Sequence, residues 1–259
     1  MDKKIVFFDI DGTLLNDRNE IPESTKKAVR ALQDKGIATA IATGRTPAMF
    51  EWVREELGIH SFVSINGQYV VHDGKPVYAN PIDPGTLEEL VSLTSASGHA
   101  LATCNESKVR ALAAEHPHIR NSFAAINLPH PPVDPSFHRN EPVYQGYLFI
   151  NREEQALYDQ TFPQLRFVRW HEFAVDVLPA DSSKAVGIEQ MLRILGIRNE
   201  NCFAFGDGLN DVEMLASAGV GIAMGNAVHE AKNAANLVTA SSSEDGIWKG
   251  LHLVGLLGS

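Results

Sequence analysis

The chain has 259 residues, of which 44% are hydrophobic, and its formal net charge is −10 at pH 7. That length allows one large or two smaller domains without disulfides or structural metals, and the acidic charge argues against non-specific nucleic-acid binding, which requires basic surface. Two cysteines far apart in sequence, no signal-type segment and no apolar stretch of membrane-spanning length predict a cytoplasmic protein with no membrane partner.

The first third of the chain alternates apolar strands with helices. Residues 5–8 form a short continuous apolar run, which is typical of a strand buried on both faces. The other predicted elements are helices at residues 22–35 and from Thr46-Pro47 to about Gly58, strands at residues 37–42 and 62–65, and a hairpin turn at Asn66-Gly67. Strands that alternate with helices in this way indicate parallel βαβ units.

The middle of the chain has a different composition. Two prolines and a glycine within residues 80–85 indicate a linker, and the stretch that follows is rich in proline and histidine. Strands that could pair with each other are predicted at residues 144–150 and 166–177. We therefore expect a separate α+β domain here.

The alternating pattern returns after residue 182. Helices are predicted at residues 183–195, 210–218 and 245–256, and strands at residues 202–205 and 220–223. The prediction is an α/β protein with a doubly wound, mainly parallel, Rossmann-like sheet. Residues 1–80 and 181–259 form this discontinuous core, and residues 81–180 form the inserted α+β domain.

Two acidic residues spaced by one position follow the first strand directly, in Asp9-Ile10-Asp11-Gly12-Thr13. Ligands of open parallel sheets bind at the carboxyl ends of the strands, so both carboxylates could meet a metal and a substrate there. Asp and Gly are also common in solvated turns, and this motif alone leaves both interpretations open.

Two further signals suit a phosphate group. Thr43-Gly44-Arg45 follows the second strand, and a hydroxyl with exposed backbone N–H groups can bind phosphate oxygens, although the segment could equally be a plain turn. Arg45 could contact a second charge on a substrate or be solvated. Lys184 lies near a helix start, where positive charge opposes the helix dipole unless an anion is close. A lone lysine is nevertheless usually solvated.

The fourth signal is Gly206-Asp207-Gly208-Leu209-Asn210-Asp211, between a strand and a helix. Carboxylates at this spacing suit Mg²⁺. Capping of the helix explains one polar residue here, but not three within five positions. Because the motifs follow three strands of one predicted sheet, we expect them to meet at one edge.

The order of these motifs resembles that of the haloacid dehalogenase-like (HAD) superfamily, and within it the Cof-type phosphatases with a subclass IIB cap. Ile65-Asn66-Gly67, the stretch 218–227 and Glu244-Asp245-Gly246-Ile247 are also similar to that subfamily. The resemblance covers nearly the whole core, whereas residues 81–180 match a cap only in placement and size. Ala185 stands where the family often has glycine.

The resemblance implies a Mg²⁺-dependent phosphatase that hydrolyses a small phosphorylated metabolite through an aspartyl-phosphate on Asp9. The metabolite could be a sugar phosphate, a nucleotide or a cofactor phosphate. Asp11 would be the general acid and base, and the protein would be a monomer or weak homodimer. The implied phosphate ligands are Ile10, Thr43, Gly44, Lys184 and Asn210, and the implied metal ligands are Asp9, Asp11 through its carbonyl, and Asp207, with Asp211 behind them.

Other functions share part of this pattern. A phosphomutase or phosphotransferase would use the same motifs but pass the phosphoryl group to a second substrate instead of water. A dehalogenase needs neither Asp11 nor Mg²⁺. A signalling receiver domain also phosphorylates an aspartate, but it lacks the large insertion and the second acid, so both features favour an enzyme.

Overall fold

The computed structural model describes residues 3–114, 116–126 and 128–258. The chain divides into two units, Met1–Tyr78 with Ser183–Ser259, and Ala79–Ser182. The strands are β1 (Ile5–Phe8), β2 (Ala38–Ala42), β3 (Phe62–Ser64), β4 (Tyr69–His72), β5 (Lys75–Ala79), β6 (Ala100–Cys104), β7 (Val109–Ala111), β8 (Gln145–Phe149), β9 (Leu165–His171), β10 (Ala174–Pro179), β11 (Cys202–Gly206), β12 (Val220–Ala223) and β13 (Leu237–Val238).

The helices are also numbered in chain order. They are α1 (Glu23–Asp34), α2 (Glu51–Leu57), α3 (Pro84–Ala96), α4 (Pro117–Ala125), α5 (Phe137–Asn140), α6 (Gln155–Thr161), α7 (Lys184–Leu195), α8 (Val212–Ser217), α9 (His229–Ala234) and α10 (Gly246–Leu253).

The first unit is built on an eight-stranded sheet with the order β13-β12-β11-β1-β2-β3-β4-β5. Its pairs from β13 to β3 are parallel, and β3 pairs with β4 antiparallel. The central strand β1 is buried on both faces, because Val6 and Phe8 pack into one hydrophobic core while Ile5 and Phe7 pack into another. Each such side chain contributes roughly 1.5–3 kcal/mol by burial.

Helices cover both faces of this sheet. Buried side chains of α1, α2 and α10 join the core that holds Val6 and Phe8, and those of α7 join the core that holds Ile5 and Phe7. The predicted class, a doubly wound and mainly parallel α/β sheet, is confirmed.

The second unit has a five-stranded antiparallel sheet with the order β7-β6-β8-β10-β9. The strand predicted at residues 144–150 is β8. The segment 166–177 contains two strands instead of one, because the chain reverses after His171 and β10 pairs with β9. Leu148, Val175 and Val177 form the core of this unit with apolar residues of α3 and α6.

Two local predictions in the first unit have different outcomes. The chain does reverse at Asn66-Gly67, which lie between the antiparallel strands β3 and β4. The helix predicted from Thr46-Pro47 does not start as an α-helix there, because Thr46 precedes a 3-10 turn, Pro47–Phe50, and its side chain makes no capping hydrogen bond. The α-helix begins only at Glu51. Both cysteines are free and buried.

Candidate active site

Three loops of the first unit begin where neighbouring parallel strands end. They follow β11, β1 and β2, which are adjacent in the sheet, and they carry the three motifs predicted to meet. The amino-terminal residue of α7 is Lys184, which reaches the same edge. The parallel topology therefore brings together motif residues that are distant in the chain. Lys184 binds both Asp9 and Asp211, which are 202 positions apart (211 − 9 = 202).

The loop after β1 holds Asp9 against β11, which is adjacent to β1 in the sheet. The Asp9 N–H donates to the carbonyl of Phe205 at 2.9 Å, and the Asp9 side chain is almost fully buried. Gly12 has φ +75°, and a Cβ on it would lie 2.2 Å from Oδ2 of Asp207. The turn therefore requires glycine both for its backbone conformation and for the close approach of Asp207.

A buried ammonium links two of the carboxylates. Nζ of Lys184 donates to Oδ1 of Asp9 and to Oδ1 of Asp211, both at 2.6 Å, and all three side chains are nearly or fully inaccessible to solvent. The solvated lysine left open by the sequence is therefore excluded. A buried charge is tolerated only when it is paired in this way.

Asp211 orders the loop that carries Asp207. Its second oxygen, Oδ2, accepts hydrogen bonds from the backbone N–H groups of Asp207 and Gly208 at 2.9 and 2.8 Å. Because Lys184 occupies Oδ1, both oxygens of Asp211 are engaged by protein donors. The hydroxyl of Thr13 donates to Oδ1 of Asp207 at 2.8 Å.

The charges of the site are not balanced by protein groups alone. Burial raises the pKa of Asp9 well above its usual value, although Lys184 opposes the shift, and burial also raises the pKa of Asp207 to about 6. Burial disfavours the charged form of Lys184, but the carboxylates of Asp211 and Asp9 outweigh it and raise the lysine pKa. The cluster therefore holds more carboxylates than one ammonium can neutralise.

This cluster fits a divalent metal ion. Carboxylate oxygens of Asp9, Asp207 and Asp211 lie within 4.8 Å of one another. They are hard oxygen donors of the kind that bind Mg²⁺. A bound cation would stabilise the ionised carboxylates and so lower the raised pKa values of Asp9 and Asp207. Since protein donors occupy both oxygens of Asp211, Asp9 and Asp207 have the side-chain oxygens that best suit a metal.

Asp11 and Arg45 form an ion pair. The Arg45 guanidinium donates from Nε to Oδ2 of Asp11 at 2.9 Å and from Nη2 to Oδ1 at 2.5 Å. The Asp11 side chain is 56% exposed, unlike those of Asp9 and Asp211. The sequence predicted either a substrate contact or a solvated side chain for Arg45, and neither prediction included Asp11 as its partner.

The predicted phosphate ligands lie around this cluster in different environments. Thr43 is buried, and its Oγ1 accepts the N–H of Arg45 at 3.2 Å. The Ile10 side chain is buried in the core, so only its backbone is available for a phosphate contact. Asn210 is exposed, and its amide donates to Oδ1 of Asn66 at 3.3 Å.

Three residues at this edge received no role from the sequence. Thr13 binds Asp207, Asn226 donates to the carbonyl of Gly12 at 2.8 Å, and Asn66 accepts from Asn210. Asn66 and Asn226 lie in segments that resemble the Cof-type subfamily, which was the available signal. Their contacts join loops that are distant in the chain, and no local pattern predicts such partners.

Comparison with known proteins identifies the family. Residues 6–251 match the model of the haloacid dehalogenase-like hydrolases. A Bacillus subtilis protein named "Putative phosphatase YkrA" is 41% identical, and the match covers 99% of this chain and 100% of that protein. Among the described residues, no helix combines the length and apolar character needed to cross a membrane.

Two solved structures are similar over their whole length. A hypothetical protein from Geobacillus kaustophilus has a TM-score of 0.95 and 49% identity, and the match covers 98% of this chain and 100% of that one. The HAD subclass IIB sugar phosphatase BT4131 has a TM-score of 0.85 and 30% identity, with coverages of 98% and 100%. The chain therefore belongs to the haloacid dehalogenase-like hydrolase family, as a Cof-type phosphatase that acts on phosphoric monoesters.

Proposed function

We propose that this phosphatase is Mg²⁺-dependent and transfers the phosphoryl group of a small phosphorylated metabolite first to Asp9 and then to water. The observation that carries this proposal is the buried ammonium of Lys184, which binds one oxygen of Asp9 within 4.8 Å of two further carboxylates. This arrangement orients Asp9 and supplies positive charge where a phosphate dianion must approach a carboxylate.

The proposed metal ligands are the side chains of Asp9 and Asp207 and the backbone carbonyl of Asp11. A bound Mg²⁺ would offset the repulsion between the carboxylates and the phosphoryl oxygens. Asp211 supports this set indirectly, because it holds the backbone of Asp207 and pairs with Lys184.

The protein's own groups divide the remaining work. Lys184 holds Oδ1 of Asp9, and we assign the attack on phosphorus to Oδ2. Asp11 protonates the leaving oxygen and later removes a proton from the attacking water. The proposed phosphoryl ligands are Lys184, the hydroxyl of Thr43, the backbone N–H groups of Ile10 and Gly44, and the amide of Asn210.

The resting contacts of Asp11 bear on its role. Both of its carboxylate oxygens accept hydrogen bonds from Arg45. To deliver a proton to a leaving group, Asp11 must release at least one of these bonds. Its greater exposure allows this movement, whereas Asp9 is held by its burial and by Lys184.

We propose that residues 81–180 are a cap domain that selects the substrate, with hinges near residues 80–84 and 179–181. Support comes from the separate antiparallel sheet of Ala79–Ser182 and from the similarity to a subclass IIB sugar phosphatase. A further relative, a phosphatase from Bacillus subtilis that acts on 5-amino-6-(5-phospho-D-ribitylamino)uracil, is 27% identical. A phosphorylated sugar or sugar-like chain is therefore the first substrate class to test; nucleotides and cofactor phosphates come next.

The test is a screen for release of inorganic phosphate from phosphorylated metabolites in the presence of Mg²⁺. Excess chelator should abolish turnover, and added Mg²⁺ should restore it. Asp9→Asn should lower turnover on the order of 10⁴-fold or more, because an amide is a poor nucleophile and metal ligand. Full activity in excess chelator would contradict the metal dependence.

The same screen separates hydrolysis from the alternative, a phosphomutase or phosphotransferase. Hydrolysis releases one inorganic phosphate for each substrate consumed without a second acceptor. If consumption requires a second sugar and the phosphate appears on that sugar, the transferase is correct.

A further inference from the structure

The turn Ile65-Asn66-Gly67 has an unusual backbone. Ile65 and Asn66 have φ values of +52° and +51°, and Gly67 has +96°. A positive φ is tolerated by asparagine, but it is a clear outlier for a β-branched residue such as isoleucine. Ile65 is fully buried, so the surrounding protein holds this conformation in place. Strain of this kind persists where the structure over-determines the backbone, often at functional sites.

One side of the turn is bonded to the loop after β2. The N–H of Ile65 donates to the carbonyl of Arg45, and the N–H of Asn66 donates to the carbonyl of Thr43, both at 3.1 Å. The Asn66 side chain also packs against Gly44, where an added Cβ would lie 3.0 Å from Oδ1 of Asn66. The proposed phosphate-binding loop therefore rests on this turn.

The other side of the turn fixes the start of α7. A Cβ on Gly67 would lie 2.0 Å from the carbonyl oxygen of Ser183, and a Cβ on Gly187 would lie 2.8 Å from Cα of Gly67. These close approaches set the position of the helix end that carries Lys184. The two glycines allow a distance between backbones that no side chain would permit.

Asn66 also contacts the loop after β11. Its Oδ1 accepts the amide N–H of Asn210 at 3.3 Å, and only 8% of Asn66 is exposed. One strained turn is thus in contact with the loops or helix ends that carry Thr43, Lys184 and Asn210.

We propose that this turn positions the phosphoryl pocket and that Asn66 is a positioning residue, which sets the Gly44 backbone and the Asn210 amide through its side chain. This inference rests on the proposed function of the same site. Asn66 acts through its neighbours and needs no contact with the substrate. A misplacement of about 1 Å in such a site can cost on the order of a hundredfold in rate.

The test variant is Asn66→Gly. Glycine adopts a φ near +51° without steric strain, so this change is compatible with the backbone of the turn and removes only the side chain. We expect the melting temperature to stay equal or rise, while kcat/KM on a nitrophenyl phosphate falls about ten- to a hundredfold. The inhibition constant of inorganic phosphate should rise by a similar factor, because Gly44 and Asn210 lose their support. A loss of packing alone would instead lower the melting temperature.

A matched control is available at Asn19, which is exposed and has φ +58°. Asn19→Gly makes the same chemical change at a similar positive φ and should leave both kinetic constants unchanged. A second variant, Asn66→Ala, removes the same side chain but strains the backbone, so it should match Asn66→Gly in kcat/KM and melt at a lower temperature.

The outcomes separate this inference from the proposed function. Retention of wild-type kcat/KM and phosphate inhibition by Asn66→Gly would overturn the positioning role while leaving the phosphatase mechanism intact. If the wild type is active but Asp9→Asn is equally active, the proposed mechanism fails. Binding of inorganic phosphate with Mg²⁺, measured by calorimetry on both Asn66→Gly and wild type, then still tests the turn: a weaker affinity in the variant supports it, and equal affinity overturns it.

Discussion

Each unit contains a network of charged side chains, and the two networks differ in burial. In the first unit Lys184 is fully buried between Asp9 and Asp211. In the second unit Arg139 makes a bidentate contact with Glu88 at 3.0 and 2.6 Å, but their side chains are 62% and 45% exposed. Arg139 is the main cause that lowers the pKa of Glu88 to about 2. Both networks have short hydrogen bonds, so geometry alone does not distinguish them.

Burial decides what each network can do. Removing charges from water is expensive, and a buried ion pair often stabilises a fold no more than well-packed apolar residues would. An exposed pair costs little and contributes little, because water and salt screen it. The buried network of the first unit is therefore better explained by chemistry than by stability. Changes to it should have large effects, and similar changes in the second unit should have small ones.

The largest combined effect on stability and turnover is expected for Lys184→Met. This change keeps a long apolar stem but leaves the carboxylates of Asp9 and Asp211 buried without their cation. We expect a loss of about 3–5 kcal/mol in the free energy of unfolding and roughly a hundred- to thousandfold loss of turnover. Mg²⁺ should restore part of the stability in denaturant titrations, since a metal can offset the same carboxylates.

The control for Lys184→Met is Arg139→Met in the second unit, which removes the cation of the exposed pair. Its stability and its turnover of a nitrophenyl phosphate should match the wild type. Equal losses in the two variants would show that burial does not separate the two networks.

The next effect concerns the exposed acid of the active site. Asp11→Asn keeps the backbone carbonyl but removes proton transfer, a loss worth about a hundred- to ten-thousandfold in rate. An alkyl phosphate needs its leaving oxygen protonated and should react slowly from the first step. The nitrophenolate of a nitrophenyl phosphate leaves without being protonated, so formation of the aspartyl-phosphate should stay fast while its hydrolysis is slow. Rapid-quench measurements should therefore show a burst close to one nitrophenol per active site, followed by slow turnover. Equal slowing of both substrates without a burst would contradict the role of Asp11.

The smallest effect on catalysis is expected in the second unit, at Asp176. Burial raises its pKa to about 7, so the folded protein keeps this carboxyl protonated at pH values where the unfolded chain has lost the proton. Its contribution to stability is fully present below about pH 4 and is lost as the pH rises through about 7. Asp176→Asn should remove this pH dependence and stabilise the protein at pH 8 by at most about 4 kcal/mol, since one pKa unit is about 1.4 kcal/mol.

Chemical denaturation between pH 4 and pH 8 measures this difference, and the control is turnover of the nitrophenyl phosphate at each pH. We expect turnover to change less than about threefold, because Asp176 lies on β10 of the second unit and is not among the residues proposed to bind the metal or the phosphoryl group. If the free energy of unfolding has the same pH dependence between pH 4 and pH 8 in the wild type and in Asp176→Asn, the raised pKa of Asp176 is contradicted.

The motifs of the candidate site could be recognised in the sequence because each depends on a short stretch of chain. A buried apolar run such as Ile5–Phe8, followed at once by Asp9, can be recognised without knowing its partners. The second unit was harder to predict. Two of its strand pairs, β6 with β8 and β8 with β10, join segments that are not consecutive in the chain. In addition, the segment 166–177 contains a reversal after His171 that its apolar pattern did not reveal. Side-chain alternation continues on both sides of such a turn.

The amino-acid sequence by itself determined the α/β class and where along the chain the motif aspartates and Lys184 lie. The spacing of apolar residues, the placement of glycines and the order of the motifs can all be seen in the sequence. Only the tertiary structure decided which charges are buried and with whom they pair. Lys184 between Asp9 and Asp211, Arg45 on Asp11, and Asn66 between Gly44 and Asn210 all join segments that are distant in the chain. Such contacts depend on the order of strands in the sheet and on the desolvation of each side chain. Both arise from segments that are distant in the chain, so no single stretch of sequence predicts them.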